Sequence, residues 1–147
     1  MNNPFCKHIL ASRAGLAPLA LRIPAGIIFI AHGAQKLFGV FGGYGLEGTG
    51  KFMASLGLPA GYLMALLAGS AEFFGGIALL IGLLVRPASA ILAFTMLVAM
   101  FTVHISNGLF MSNNGYEFAL SLLAVSVSLL ISGAGSLSID NILSKDK

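Results

Sequence analysis

This sequence predicts an all-α membrane fold: a polytopic four-helix bundle in one domain over residues 1–147, with both ends in the cytoplasm and a glycine-rich outer loop between helices 1 and 2. Three observations lead there. Hydrophobic residues make up 57% of the chain and charged residues 9%, with a mean hydropathy of +0.94, so the chain needs lipid as its solvent. The apolar residues fall into four long runs, about 16–38, 62–85, 87–106 and 116–131. The eight Lys and Arg lie around the ends of these runs, unevenly distributed between the two sides.

Each run reads as a helix, because a backbone in hydrocarbon must satisfy its own hydrogen bonds and the runs lack the alternation of barrel strands. Arg22 interrupts the apolar core of the first run, which therefore reads as an uncleaved span rather than a signal peptide. Between the second and third runs, Arg86-Pro87 predicts a tight basic hairpin. Pro87 suits the first turn of the next helix, where its missing N–H costs nothing. Lys7, Arg13, Arg22, Arg86, Lys145 and Lys147 fall on one side, which is then cytoplasmic, and Lys36 and Lys51 on the other. The formal charge of +3 thus reflects topology and not a nucleic-acid patch. Four spans of about 20 residues consume more than half of the chain and leave little for a soluble domain.

The longest connection, Gly39 to Gly61, carries Gly42, Gly43, Gly45, Gly48, Gly50 and Gly57, with an amphipathic stretch around Lys51 to Leu56, and is a lid candidate. Its Gly45-Leu46-Glu47-Gly48-Thr49-Gly50-Lys51 has the glycine and lysine spacing of a phosphate-binding loop. Phe52 stands where the magnesium-binding hydroxyl is needed, however, and no strand precedes the run, so the match reads as accidental.

Ionisable side chains at bilayer depth cost about 3 kcal/mol or more unless paired or hydrated, so they mark where chemistry should be sought. The first helix carries Arg22, His32, Gln35 and Lys36, the second Glu72, the third His104 and the fourth Glu117. At 100° per residue Arg22, His32 and Lys36 share one broad, inward face. Glu72 is flanked on its own face by Ala65, Ala68, Gly69, Gly75 and Gly76, which predicts a packed interior position. By depth it is expected to pair with Arg22. His104 and Glu117 form a second polar group towards the outer ends of their helices. Each of Lys36, His104 and Glu117 also fits ordinary interfacial solvation, and Arg22 with Glu72 also fits a structural clasp. His32, deeper and one turn from Lys36, is the residue that solvation explains least.

Cys6 is the one cysteine, which excludes dithiol redox chemistry. His32 and His104 with Glu72 and Glu117 are the combination that could ligate a metal or a b-type haem, but no metal is assigned. The six methionines look like packing. Ala65 with Gly69, and Ala71 with Gly75, make two small-residue seams on differing faces of the second helix, one of which is free for a homodimer.

Arg22-Ile-Pro, His32-Gly33-Ala34-Gln35-Lys36-Leu37, Ala71-Glu72-Phe73-Phe74-Gly75-Gly76 and Leu80-Ile81-Gly82-Leu83-Leu84-Val85-Arg86 together resemble the DoxX family of bacterial membrane proteins. The closing Gly133-Ala134-Gly135-Ser136-Leu137-Ser138-Ile139-Asp140 is similar to that family's Gly-Pro-Gly tail, with Ala134 in the proline position and outside the expected site. The resemblance implies a four-helix inner-membrane protein of quinone-linked redox metabolism or oxidative-stress defence, either an oxidoreductase or a subunit of one, with a soluble redox partner. It carries Arg22, His32, Lys36 and Glu72 over as the family's recurrent polar residues. A quinone needs an apolar slot with donors for its carbonyls. His32, Gln35 and Lys36 could supply the donors, and Phe38, Phe41 and Phe73 the stacking. The alternative is a non-enzymatic membrane module, a small transporter or a partner-binding subunit whose buried charges fix the packing.

Overall fold

The computed structural model describes residues 9–145. Cys6, Lys7 and Lys147 lie outside them, as does the side chain of Lys145. Among the described residues every regular element is helical: α1 Ala17–Phe38, α2 Gly45–Ser55, α3 Gly61–Ile81, α4 Val85–Ala99, α5 Glu117–Ser132 and α6 Ile139–Lys145. α4 continues through a π turn, Met100–His104, and a 3-10 turn, Ile105–Asn107. Three apolar rods are long enough to cross a bilayer: Ala17–Phe38, Gly61–Ile81 and Val85–Asn107. Where the sequence predicts a fourth span, α5 has 16 residues. It rises about 24 Å, somewhat less than a ~30 Å hydrocarbon core.

Close backbone approach sets the architecture. α1 and α3 run antiparallel with glycine facing glycine: a methyl on Gly26 would lie 2.8 Å from the Gly76 carbonyl oxygen, and one on Gly76 2.8 Å from that of Gly26. One turn pair further along, Gly33 is pressed against the backbone of Phe73 and the carbonyl of Gly69. Because lipid solvates apolar side chains as well as protein does, such contact, and not the hydrophobic effect, holds the two rods together. α4 and α5 form the second pair, α4 also packs on α3, and α5 touches α1. Phe29, Leu79, Val85, Leu92, Met96, Leu122 and Leu129 fill the centre. Both small-residue seams of α3 are used inside the subunit: Gly69 meets Leu37 and Lys36 of α1, and Gly75 meets Leu92 of α4.

Two connections differ from the sequence-based expectation. The hairpin between α3 and α4 turns at Gly82–Leu84, not at Arg86-Pro87. Gly82 at φ +71° closes α3, with the Leu83 N–H bonded to the Ala78 carbonyl (2.9 Å) and that of Gly82 to Leu79 (3.2 Å). Arg86 and Pro87 are already in the first turn of α4. The glycine-rich stretch is largely not a loop, since Gly45–Ser55 is helix α2. Gly50 within it is a packing site: a methyl there would sit 2.9 Å from the Tyr62 Cα at the start of α3. The phosphate-loop spacing is thereby wound into a helix, where Lys51 pairs with Glu47 at 2.9 Å. α2 lies at one end of the bundle, here the distal end, together with residues 108–116. Residues 11–16 and 133–145 gather at the opposite, proximal end.

Candidate functional site

Arg22 and Glu72 do not meet. The register set by Gly26 against Gly76 puts Arg22 beside the last turn of α3, where its guanidinium Nη1 donates to the carbonyls of Leu79 (3.1 Å) and Leu80 (2.9 Å). Glu72 is roughly seven residues, about 10 Å, further along that helix. The other Arg22 donors reach the closing segment, Nε to the Ala134 carbonyl (3.2 Å) and Nη2 to that of Leu137. Arg22 is 1% exposed. At α3 it serves two carbonyls of the last turn, where the negative end of the helix dipole lies; that of Leu79 also accepts from the Gly82 N–H.

A second arginine does the same for α5. Arg86 Nη1 donates to the carbonyls of Leu130 (2.7 Å) and Ile131, and Nη2 to that of Ala11 (3.3 Å). Asp140 completes the proximal end by accepting the N–H groups of Leu84 (2.7 Å) and Val85 (3.0 Å) at the start of α4. Burial pushes the Asp140 carboxyl above the usual aspartate range, against the pull of those two donors and of the Arg22 and Arg86 guanidiniums. The segment from Gly133 to Asp140 is therefore part of the Arg22 clasp, not remote from it. Sequence reading missed Asp140, although an acid placed to cap a helix N-terminus from the distant C-terminal segment leaves no local spacing signal.

The partner of Glu72 is Lys36. Its ammonium lies 2.6 Å from Glu72 Oε2, the two side chains being 25% and 4% exposed. Beside Lys36 a cavity of about 210 Å³ is lined by Gln35, Lys36, Gly42, Gly43, Tyr44, Thr49 and Phe52. Gln35 donates from Nε2 to the Phe41 carbonyl (3.0 Å) and so ties the Gly39–Tyr44 turn to α1. Of the expected donor set, Gln35 and Lys36 thus come together, with Glu72 behind them. His32 leans the other way, its ring 5.7 Å from that of Phe118 on α5. Of the expected stacking rings, Phe38 and Phe73 pack edge-to-face at 5.4 Å, and Phe41 is 75% exposed. Tyr44 and Phe52 supply the cavity's aromatic wall instead. That role becomes visible only once α2 is known to be a helix lying against α1.

His104 and Glu117 both bind the 108–116 connection, by different atoms. His104 Nδ1 is 2.9 Å from the Asn114 carbonyl, while Glu117 accepts the Met111 N–H at 2.6 Å. The π turn that ends at His104 aims its ring at this connection. Among the described residues no three of His, Cys, Asp and Glu converge, so His32, His104, Glu72 and Glu117 are not gathered into one group.

A family model described as DoxX matches residues 17–105, from the start of α1 almost to the end of the third rod. "Putative oxidoreductase CatD" of Bacillus subtilis is 35% identical over 132 residues, 90% of each chain. An uncharacterized Haemophilus influenzae protein is 36% identical over 124 residues, covering 82% of this chain and 86% of its own. "Inner membrane protein YqjF" of Escherichia coli is 34% identical over 133 residues, 86% of this chain and 92% of that one. No solved structure matches. Three membrane-crossing rods, an inner-membrane relative and a family match spanning all of them lead to one conclusion: the chain is a multi-pass protein of the bacterial inner membrane and belongs to the DoxX family.

Proposed function

We propose that the protein is a quinone-linked redox component, binding a quinone head group or a similar small ligand in the cavity between α1 and α2. One observation carries the reading: Lys36, whose ammonium is paired with buried Glu72, is also a wall residue of a cavity lined by Tyr44 and Phe52. A ligand carbonyl there would accept from Lys36 Nζ or from the Gln35 amide, and the Glu72 carboxylate would keep the lysine charged or receive a proton at Oε2. The cavity of about 210 Å³ is smaller than the 300–1,000 Å³ typical of whole-ligand pockets, which suits a head group whose tail lies in lipid. The name of the Bacillus subtilis relative points in the same redox direction. α5 serves as the fourth span in this reading, both ends face the cytoplasm, and a soluble partner exchanges electrons there.

Titrating the purified protein in mild detergent with a short-chain ubiquinone or menaquinone analogue tests this. Saturable binding is expected, abolished by Lys36→Met and weakened by Gln35→Ala and Phe52→Ala, which leave the ion pair in place. No saturable binding, or binding indifferent to all three changes, removes the proposal. The second reading, a non-enzymatic transporter or partner-binding module, is favoured by the engagement of Arg22, Arg86, His104 and Glu117 with backbone groups. Such a module would show no quinone saturation at all.

A further inference from the structure

We propose that α2 is an interfacial helix whose lateral edge, Phe41, Tyr44, Phe52 and Leu56, is embedded in the lipid headgroup region, so that the cavity beside Lys36 opens towards lipid and not towards bulk water. The inference does not depend on which ligand the cavity takes.

The position of α2 follows from its neighbours. α1 ends at Phe38 and α3 begins at Gly61, so a helix at 45–55 joins two membrane-crossing rods at the level where both leave the hydrocarbon. It cannot drift away from that level. Gly50 lies against the Tyr62 backbone, and Thr49, 6% exposed, is buried against the bundle.

Around its axis α2 shows three faces. Thr49, Gly50, Met53 and Leu46 turn to the protein. Glu47 and Lys51, joined at 2.9 Å with side chains 81% and 76% exposed, turn away from it. Between the two faces runs an apolar edge: Phe52 is 46% exposed and Leu56 37%, while Tyr44 at 80% and Phe41 at 75% extend the edge along the preceding turn. In water four such exposed side chains at one end of the bundle would be a liability, whereas at a membrane surface aromatic rings sit at headgroup depth. The rods that α2 joins end at the same level with exposed rings of their own, Phe38 at 61% and Tyr62 at 57%, and the Tyr62 backbone lies against Gly50 of α2. Exposed rings at the ends of membrane-crossing rods face lipid, and an apolar edge at their level meets the same medium. Phe52 and Tyr44 belong to both the edge and the cavity wall, so an amphiphile would reach Lys36 by passing between them from the bilayer.

The chain has no tryptophan, so one introduced indole reports on its own surroundings. Tyr44→Trp, Phe52→Trp and Lys51→Trp would each be reconstituted in phosphatidylcholine vesicles, unlabelled or with acyl chains brominated near the glycerol end or near the chain terminus. The indoles at 44 and 52 are expected to emit to the blue of the one at 51. They should lose most intensity to the shallow bromines and be largely spared by aqueous iodide, with the reverse at 51. Iodide quenching at 44 and 52 equal to that at 51, without loss to brominated lipid, would overturn the proposal. So would blue-shifted emission spared by both quenchers, which would place a second copy of the chain, not lipid, over the edge. The three substitutions are at exposed positions, and retained helicity by circular dichroism confirms that each variant is folded.

Discussion

Three basic residues of the bundle have two different employments. Arg22 and Arg86 are planar forks that collect helix-end carbonyls, a task needing several donors in fixed directions. Lys36 is a point charge opposite a buried carboxylate. Replacing Lys36 by Met strands Glu72 and is expected to cost about 3–5 kcal/mol, the usual penalty for breaking a buried pair from one side. Adding Glu72→Gln should recover part of that loss. Arg22→Met should be costly too, because the Leu80, Ala134 and Leu137 carbonyls lose the Arg22 donor, at about 1–3 kcal/mol for each left buried and unpaired, while Leu79 keeps the Gly82 N–H. Its effect should nonetheless add to that of Glu72→Gln within about 0.5 kcal/mol, since the two residues share no partner. Unfolding free energies of the single and double variants in mixed micelles check both statements. An Arg22–Glu72 coupling well above that limit would restore the ion pair expected from depth alone. Depth misled because it fixes height only within several ångströms. The glycine register of α1 on α3 decides which residues stand side by side.

Among the elements, the α1–α3 seam bears most on the site, because it brings Lys36 beside Glu72. Gly33 on this seam and Gly75 on the α3–α4 contact give a matched comparison. A methyl at 33 would run into the Phe73 backbone, which cannot yield unless the rods separate, whereas one at 75 would meet only the Leu92 side chain at 3.0–3.2 Å. Gly33→Ala is therefore expected to destabilise by about 1–3 kcal/mol and to displace Lys36 from Glu72. Gly75→Ala should cost less and leave the pair intact. Thermal unfolding in detergent, with and without Glu72→Gln, reads both effects. An equal cost for the two changes would contradict the close approach at Gly33. α2 teaches the complementary point. Six glycines between 42 and 57 read as a flexible loop because glycine is a poor helix former by about 1 kcal/mol per residue. Tertiary contact overrides that preference: Gly50 and Gly61 are small so that α2 can lie directly on the start of α3.

For the whole molecule, orientation is the open quantity with the simplest test. A reporter active only in the cytoplasm, fused after Lys147, should give signal, and one active only in the periplasm should not, because six of the eight basic residues fall on the side of the termini. The opposite result would put α2 and the Lys36 cavity on the cytoplasmic side. Two of those six, Arg22 and Arg86, also hold helix ends, so topology and packing draw on the same side chains.

The membrane class, the all-helical backbone, the approximate positions of the apolar rods and the family were legible in the sequence. All of them follow from local quantities: run length, hydropathy, charge at the ends and short motifs. The polar residues that matter were legible as a set for a related reason, since a charge inside an apolar run stands out wherever it finally points. Their pairing was not. Lys36 with Glu72, Arg22 with the carbonyls of two separate segments and Asp140 with the start of α4 join residues tens of positions apart. Which of them meet is set by helix register and rotation, and these are decided by backbone contact at glycines, a property of the packed structure alone.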